Sequence, residues 1–138
     1  MQGISIKAVL VASLLTVVVD IVLGIVLIFA YSTSAITPGM TENEIQNAVS
    51  VVSSSTPVLL TGMILGSLST VLGGYVAARL SKAAPYLNSL AFGIVGIILG
   101  VFMAEGLPLW YNIVGFIVVI PASLFGASFV AKRRAINA

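Results

Sequence analysis

Asp20 is the residue of this sequence with the clearest capacity for chemistry. It interrupts an otherwise apolar run from Ile6 to Tyr31. At a helical rise of about 1.5 Å per residue, its carboxyl group lies about 20 Å beyond Lys7 and about 16 Å before Tyr31, in the middle of a run long enough to cross a bilayer. A carboxylate at that depth costs about 2.5–3.5 kcal/mol by insertion measurements, so it must face a protein interior, water or a partner.

The spacing of small residues indicates what Asp20 faces. Small side chains recur at steps of four on the same helix face, at Ala8, Ala12, Thr16 and Gly24. No basic residue is expected at the depth of Asp20, so its partners within the chain are predicted to be hydroxyl groups: Ser67, Ser69, Thr70 and Ser123. The predicted intramembrane site consists of Asp20, Thr16, Ser67 and Thr70. Three roles stay open for Asp20: an internal structural hydrogen bond, a contact with a helix of another subunit, and a proton- or ion-coupling site.

The composition excludes most other chemistry and indicates a lipid environment. Only 7% of the 138 residues are charged, 59% are hydrophobic and the mean hydropathy is +1.20, whereas soluble domains are about 25% charged. The chain has no cysteine and no histidine, which excludes disulfides, Cys/His metal sites and histidine-based acid–base catalysis. We therefore predict a single transmembrane domain that is not an enzyme, with no catalytic, cofactor-binding or metal-binding residues.

Four apolar segments predict the elements that position Asp20. They span about residues 6–31, 57–80, 86–104 and 108–131, and each is long enough to cross a bilayer as a helix. Between the first two, Thr41 and Glu44 form a capping-box pattern before apolar residues at helical spacing. The predicted fold is an all-α four-helix transmembrane bundle, with a short amphipathic extracytoplasmic helix at about residues 42–53.

The basic residues predict the orientation of the bundle. Lys7 precedes the first span, and the other five basic residues are predicted cytoplasmic anchors: Arg79, Lys82, Lys132, Arg133 and Arg134. Glu42, Glu44 and Glu105 fall on the opposite side. The positive-inside rule then predicts a multi-pass protein of a prokaryotic cytoplasmic membrane, with both termini in the cytoplasm. Topology accounts for the net charge of +2, so no nucleic-acid partner is predicted.

Small residues at steps of four predict tight helix packing. Association in lipid depends on close backbone approach, which glycine permits. The predicted packing glycines are Gly62, Gly66 and Gly74 in the second span, Gly93, Gly96 and Gly100 in the third, and Gly126 in the fourth.

The segment Gly73-Gly74-Tyr75-Val76-Ala77-Ala78-Arg79, followed by Pro85, Asn88 and Gly93, carries a resemblance to known proteins. It resembles small uncharacterised prokaryotic four-helix integral membrane proteins, in which a Gly-Gly-aromatic segment closes a helix at the cytoplasmic face. The resemblance implies a similar bundle and no particular activity. The number of spans and the acid in the first are similar in layout to the small multidrug resistance transporters. The wider motif pattern of that family is absent, so no family site is carried onto Asp20.

Two functions compete on these grounds. The leading hypothesis is a non-catalytic scaffold or accessory subunit, because the glycine-rich faces suit contact with other membrane helices. The alternative is a small homo-oligomeric proton-coupled transporter or channel that uses Asp20. The expected partners are the lipid bilayer and either another membrane protein or further copies of this chain.

Overall fold

Five helices make up the computed structural model, which describes residues 3–137. They are α1 (Ile6–Ser32), α2 (Glu42–Ser53), α3 (Thr56–Leu80), α4 (Pro85–Met103) and α5 (Leu109–Ile136). Within the described residues there is no β-strand. Four of the helices, α1, α3, α4 and α5, are long and apolar enough to cross a membrane. The prediction of an all-helical chain with four helices apolar enough to cross a membrane is therefore confirmed for the described residues.

The last helix differs most from its predicted bounds. It was expected to end near residue 131 but continues to Ile136 and includes Lys132, Arg133 and Arg134. Lysine and arginine are good helix formers, and their charges interact favourably with the C-terminal end of a helix dipole. The basic residues therefore extend the helix beyond its apolar part.

A capping box begins α2, the short helix between α1 and α3. The Thr41 hydroxyl accepts a hydrogen bond from the Glu44 backbone N–H at 3.4 Å, and the Glu44 carboxylate accepts from the Thr41 backbone N–H at 2.7 Å. The hydrogen bonds that the Thr41 backbone N–H and, at 2.8 Å, the Thr41 hydroxyl donate to this carboxylate hold the pKa of Glu44 below its ordinary value. The placement of α2 outside the cytoplasm stays a prediction.

Among the spanning helices, α3 is central. It packs most extensively against α5 and also contacts α1 and α4. In contrast, α1 packs on α3 and less extensively on α4, and it makes no contact with α5. The α1 helix is thus held on one side of a three-helix core.

Two sets of hydrogen bonds join the helix ends that carry the basic residues. The Ser5 backbone N–H, at the start of α1, donates to Asn88 Oδ1 in α4 at 2.6 Å. Arg134 Nη2, near the end of α5, donates to the carbonyl oxygens of Ala78 and Ser81 at 3.2 and 2.6 Å. All six basic residues therefore lie at one end of the bundle, here called the basic end; the end with Glu42, Glu44 and Glu105 is called the acidic end.

Close packing is concentrated in the half of the bundle near the basic end. The buried residues of that half are Ala8, Val9, Ala12, Ser13 and Thr16 in α1, Ser69, Gly73, Gly74, Ala77 and Ala78 in α3, Asn88, Ser89, Phe92 and Gly93 in α4, and Ala122, Ser123, Gly126, Ala127 and Val130 in α5. In the other half, Ser32, Val58 and Leu59 are the buried residues of the spanning helices. The four helices are thus packed tightly at one end and loosely at the other.

The closest approach joins α3 and α5. A Cβ added at Gly74 would overlap the backbone of Ser123, and one added at Gly126 would overlap the backbone of Val71 and Tyr75. Two backbones in direct contact leave no room for a side chain between them, which is the arrangement that small residues permit in lipid.

Ser123 also joins α4 to this contact. The Ser89 hydroxyl donates to the Ser123 carbonyl oxygen at 2.5 Å, and a Cβ at Gly93 would press on the Ser123 hydroxyl. Three helices therefore meet at one fully buried serine.

Asn88→Ala is expected to destabilise the protein by roughly 1–3 kcal/mol for each buried backbone group that loses its partner. Asn88 is 0% exposed; its amide accepts from Ser5 and donates to the carbonyl oxygens of Ala83 and Ala84. Ala84 has a left-handed φ of 49°, which costs energy for a residue with a side chain, so these bonds also hold a strained turn. Denaturant titration in detergent measures the effect.

Asn112→Ala is the matched control for this prediction. The Asn112 amide makes one hydrogen bond, to the Ala104 carbonyl oxygen at 3.4 Å, and is only partly buried. An equal loss of stability in the two variants would contradict the structural role assigned to Asn88.

Candidate functional site

A cavity of about 300 Å³ lies between all four spanning helices. Its wall includes Ser13, Thr16 and Asp20 from α1, Met63, Gly66, Ser67 and Thr70 from α3, Phe92, Gly96 and Leu99 from α4, and Tyr111, Asn112, Gly115 and Phe116 from α5. The cavity exists because the helices are packed closely only towards the basic end.

The floor of the cavity is closed at Phe92. Its ring is 3% exposed and lies beside Thr16 against the backbone of Gly73, where an added Cβ would overlap both side chains. This contact separates the cavity from the basic end of the bundle.

Asp20 lies in the wall of this cavity. It continues the inward face of α1 that begins with the buried residues Ala12 and Thr16, yet it is itself exposed. Part of this exposed side chain faces the cavity. At this depth the predicted packing face of α1 lines a cavity.

The four residues of the predicted site, Asp20, Thr16, Ser67 and Thr70, all line the same cavity. The structure does not pair the hydroxyl groups with the carboxyl group, however. Thr16 donates to the Ala12 carbonyl oxygen, Ser67 to that of Met63 and Thr70 to that of Gly66, at 2.7–2.9 Å. Each hydroxyl satisfies a backbone group of its own helix, because a carbonyl oxygen one turn earlier is always within reach.

Of the predicted hydroxyl partners of Asp20, Ser69 is the one that lies beside its carboxyl group. The Ser69 oxygen is nevertheless buried without a hydrogen bond of ordinary geometry. Ser123 is occupied elsewhere, since its hydroxyl donates to the Ile120 carbonyl oxygen at 2.9 Å. Asp20 thus retains free acceptor capacity for a proton, a water molecule or a ligand.

A second cavity, of about 390 Å³, extends from Asp20 towards the acidic end. It lies between α1 and α3 and shares Asp20, Gly62, Gly66, Leu107 and Tyr111 with the first. Ser53, at the end of α2, lines its far side. The space around Asp20 is therefore continuous towards the acidic end and stops at Phe92 in the other direction.

The predicted packing glycines fall into two groups. Gly74, Gly93 and Gly126 lie at the close helix contacts, and Gly100 is close to the Phe116 ring, at 3.0 Å from a built Cβ. Gly62, Gly66 and Gly96 line the cavities, where an added Cβ would meet only side-chain atoms at 3.5 Å or more, or nothing within 4 Å. These three glycines widen the cavities, because the helices have diverged at their depth.

Several side chains of the site were not singled out from the sequence. Among them, Tyr111, Asn112 and Phe116 line the cavity from α5. The Tyr111 hydroxyl comes within 3.5 Å of a Cβ built at Gly62. Tyr111 and Gly115 are one helical turn apart, as are Asn112 and Phe116, so these residues lie on one side of α5; this spacing was the available signal.

The predicted anchors lie at the basic end. Arg79 donates to the Tyr75 hydroxyl at 2.6 Å, and Arg134 caps α3 as described above. Among residues 3–137 no group of three or more acidic, cysteine or histidine side chains comes together to hold a metal ion.

Among known proteins, no family model, no curated protein and no solved structure matches the chain. The resemblance of the segment around Gly73 and Gly74 to other small membrane proteins stays a prediction. Function therefore has to follow from the site.

Proposed function

We propose that this chain is a non-catalytic multi-pass membrane protein that binds a small organic cation in the Asp20 cavity and exchanges it for protons. The observation that carries the proposal is a carboxyl group in the wall of a cavity bounded by all four spanning helices. An intramembrane acid that faces an internal space is the usual arrangement of a proton or ion pathway.

The lining of the cavity supports an organic rather than a metal cation. Asp20 supplies one negative charge, and Phe92, Tyr111 and Phe116 supply aromatic rings. Aromatic faces attract quaternary ammonium groups through their quadrupoles, and apolar walls take up the alkyl groups of such ions. A metal ion would need several oxygen ligands in place of these rings.

The proposed direction follows from the basic residues. With Lys7 and the five anchors in the cytoplasm, the cavities extend towards the outside of a prokaryotic cell and α2 is extracytoplasmic. Transport then requires the contact of Phe92 with Thr16 and Gly73 to open. The α2 helix, which ends at the far side of the second cavity, is in a position to limit access from outside.

Gly66→Phe is expected to abolish binding of tetraethylammonium to the purified protein, with a loss of at least tenfold in affinity. Nothing lies within 4 Å of a Cβ built at Gly66, so the ring has space to enter and fills the volume that a ligand needs. Isothermal titration calorimetry in detergent measures the affinity, and circular dichroism checks the fold.

Ile64→Phe is the matched control, since it adds the same ring to the same helix at a side chain that is 63% exposed on the outer surface of the bundle. Undiminished binding in Gly66→Phe, or an equal loss in Ile64→Phe, would exclude the cavity as the binding site.

A second candidate function, an accessory subunit of a larger membrane assembly, is favoured by α1. From residue 17 to residue 31 α1 has no buried residue, and long apolar side chains there, such as Val22, Ile25 and Phe29, are more than half exposed. A partner helix packed on α1 would cover this apolar surface and would lie close to the cavity beside Asp20.

Native mass spectrometry of the tagged protein from its own membranes distinguishes the two proposed functions. Stoichiometric foreign subunits support the accessory role, and this chain alone or as a homo-oligomer supports transport.

A further inference from the structure

A groove on the outer surface of the bundle, separate from the Asp20 cavity, runs between α3 and α5. Its apolar part, of about 400 Å³, is lined by Leu68, Leu72, Tyr75 and Phe129 among others. A second part, of about 230 Å³, adjoins it at the basic end and contains three arginines, Arg79, Arg133 and Arg134. Tyr75 and Arg133 line both parts. We call the whole feature the α3/α5 groove.

The three arginines of the groove differ in the number of hydrogen bonds that they make within the protein. Arg134 donates to two carbonyl oxygens at the end of α3, and Arg79 donates to the Tyr75 hydroxyl, with its guanidinium 5.8 Å from the centre of that ring. Arg133 is exposed and makes no hydrogen bond within residues 3–137. Each guanidinium has five N–H donors, so the groove has many donors without a partner.

No acidic side chain balances this charge. The chain has four acidic residues; Asp20 lies in the middle of α1, and Glu42, Glu44 and Glu105 lie at the acidic end. The basic part of the groove therefore has three arginines and, within residues 3–137, no acidic side chain beside them, at the level where a helix leaves the apolar layer.

We propose that the α3/α5 groove binds one anionic phospholipid. The phosphate lies against Arg133, whose guanidinium suits a bidentate contact with phosphate oxygens. Arg134 keeps its bonds to the end of α3 and adds its positive charge, and an acyl chain lies along Leu68, Leu72 and Phe129. Leu68 and Tyr75 are seven residues apart, or about 10 Å along the helix, so the apolar part extends from the arginines into the hydrocarbon layer. The continuity of the two parts selects a lipid over a free phosphate ion, which would use only the basic part.

The test is native mass spectrometry of the delipidated protein with dioleoyl phosphatidylglycerol or dioleoyl phosphatidylcholine. We expect one phosphatidylglycerol per chain, with phosphatidylcholine bound several-fold more weakly and millimolar inorganic phosphate unable to displace the lipid. Arg133→Gln is expected to weaken phosphatidylglycerol binding about five- to tenfold, because each basic group near an anionic lipid contributes about 1 kcal/mol.

Lys132→Gln is the matched control. It removes one positive charge from the neighbouring position, and Lys132 lines neither part of the groove. Equal binding of the two lipids, displacement by inorganic phosphate, or an equal loss in Lys132→Gln and Arg133→Gln would each overturn the proposal. Circular dichroism of both variants establishes that a loss of binding is not a loss of fold.

Discussion

Asp20→Asn is expected to reduce proton-driven tetraethylammonium flux into liposomes to the level of protein-free vesicles. The substitution keeps the size and hydrogen-bonding capacity of the side chain but removes its ability to titrate. The proton and the organic cation compete for the same carboxylate in the proposed exchange, so the loss affects both cation binding and its coupling to the pH gradient. We expect the cation affinity to fall at least tenfold, or about 1.4 kcal/mol, and the remaining binding to be independent of pH.

Two further variants make this result specific. Asp20→Glu retains a titrating group in the cavity wall and is expected to keep measurable, pH-dependent flux. Glu42→Gln removes an acid from α2, outside both cavities, and is expected to behave as the wild type. Flux and pH dependence that persist in Asp20→Asn would eliminate the coupling role and leave Asp20 as a structural or inter-subunit residue.

Gly74→Ala is expected to be, with Gly126→Ala, one of the two most destabilising methyl additions among the described residues. The new Cβ would overlap the backbone of Ser123 in α5, and a backbone cannot move aside by changing a rotamer. Overpacking in a close contact costs roughly 1–3 kcal/mol or more, and here α3 and α5 would have to separate along their most extensive interface. Denaturant titration in detergent, followed by circular dichroism, measures the loss.

Gly66→Ala provides the comparison on the same helix, two turns away on the same face. A Cβ at Gly66 meets nothing within 4 Å, and alanine favours a helix over glycine by about 1 kcal/mol. Stability equal to or above that of the wild type is therefore expected. Equal destabilisation by the two substitutions would show that the helices are packed as tightly at Gly66 as at Gly74.

Much of the fold could be predicted from local sequence properties. The length of an apolar run and the positions of charged residues decide whether a segment can cross a membrane, and both are visible without knowledge of neighbouring helices. For this reason the four spanning helices are predicted within one to five residues of their ends, α5 being the least accurate. The position of Asp20 at mid-depth and on the inward face follows from the same counting.

The spacing of residues in the sequence does not determine which side chains contact one another around Asp20. Gly62, Gly66 and Gly74 follow one another on a single face at steps of four or eight residues, and nothing in that pattern tells which of them touches another helix. The structure assigns Gly74 to a backbone contact and the other two to cavity walls. Ser67 and Thr70, two of the hydroxyl groups expected at Asp20, bond instead to carbonyl oxygens of their own helix, a choice that spacing does not reveal.

The sequence by itself thus determined an all-helical chain with four membrane-crossing segments, a single acid at mid-depth and basic residues grouped between and after the spans. Only the tertiary structure decided that the bundle is tight at the basic end and open around Asp20, and that Arg134 and Asn88 join helix ends distant in the sequence. The physical reason is that lipid supplies no hydrophobic drive between helices. The shapes of the side chains on all four helices together determine at which depth the helices pack closely and at which depth they diverge. The sequence of a single helix does not contain that information.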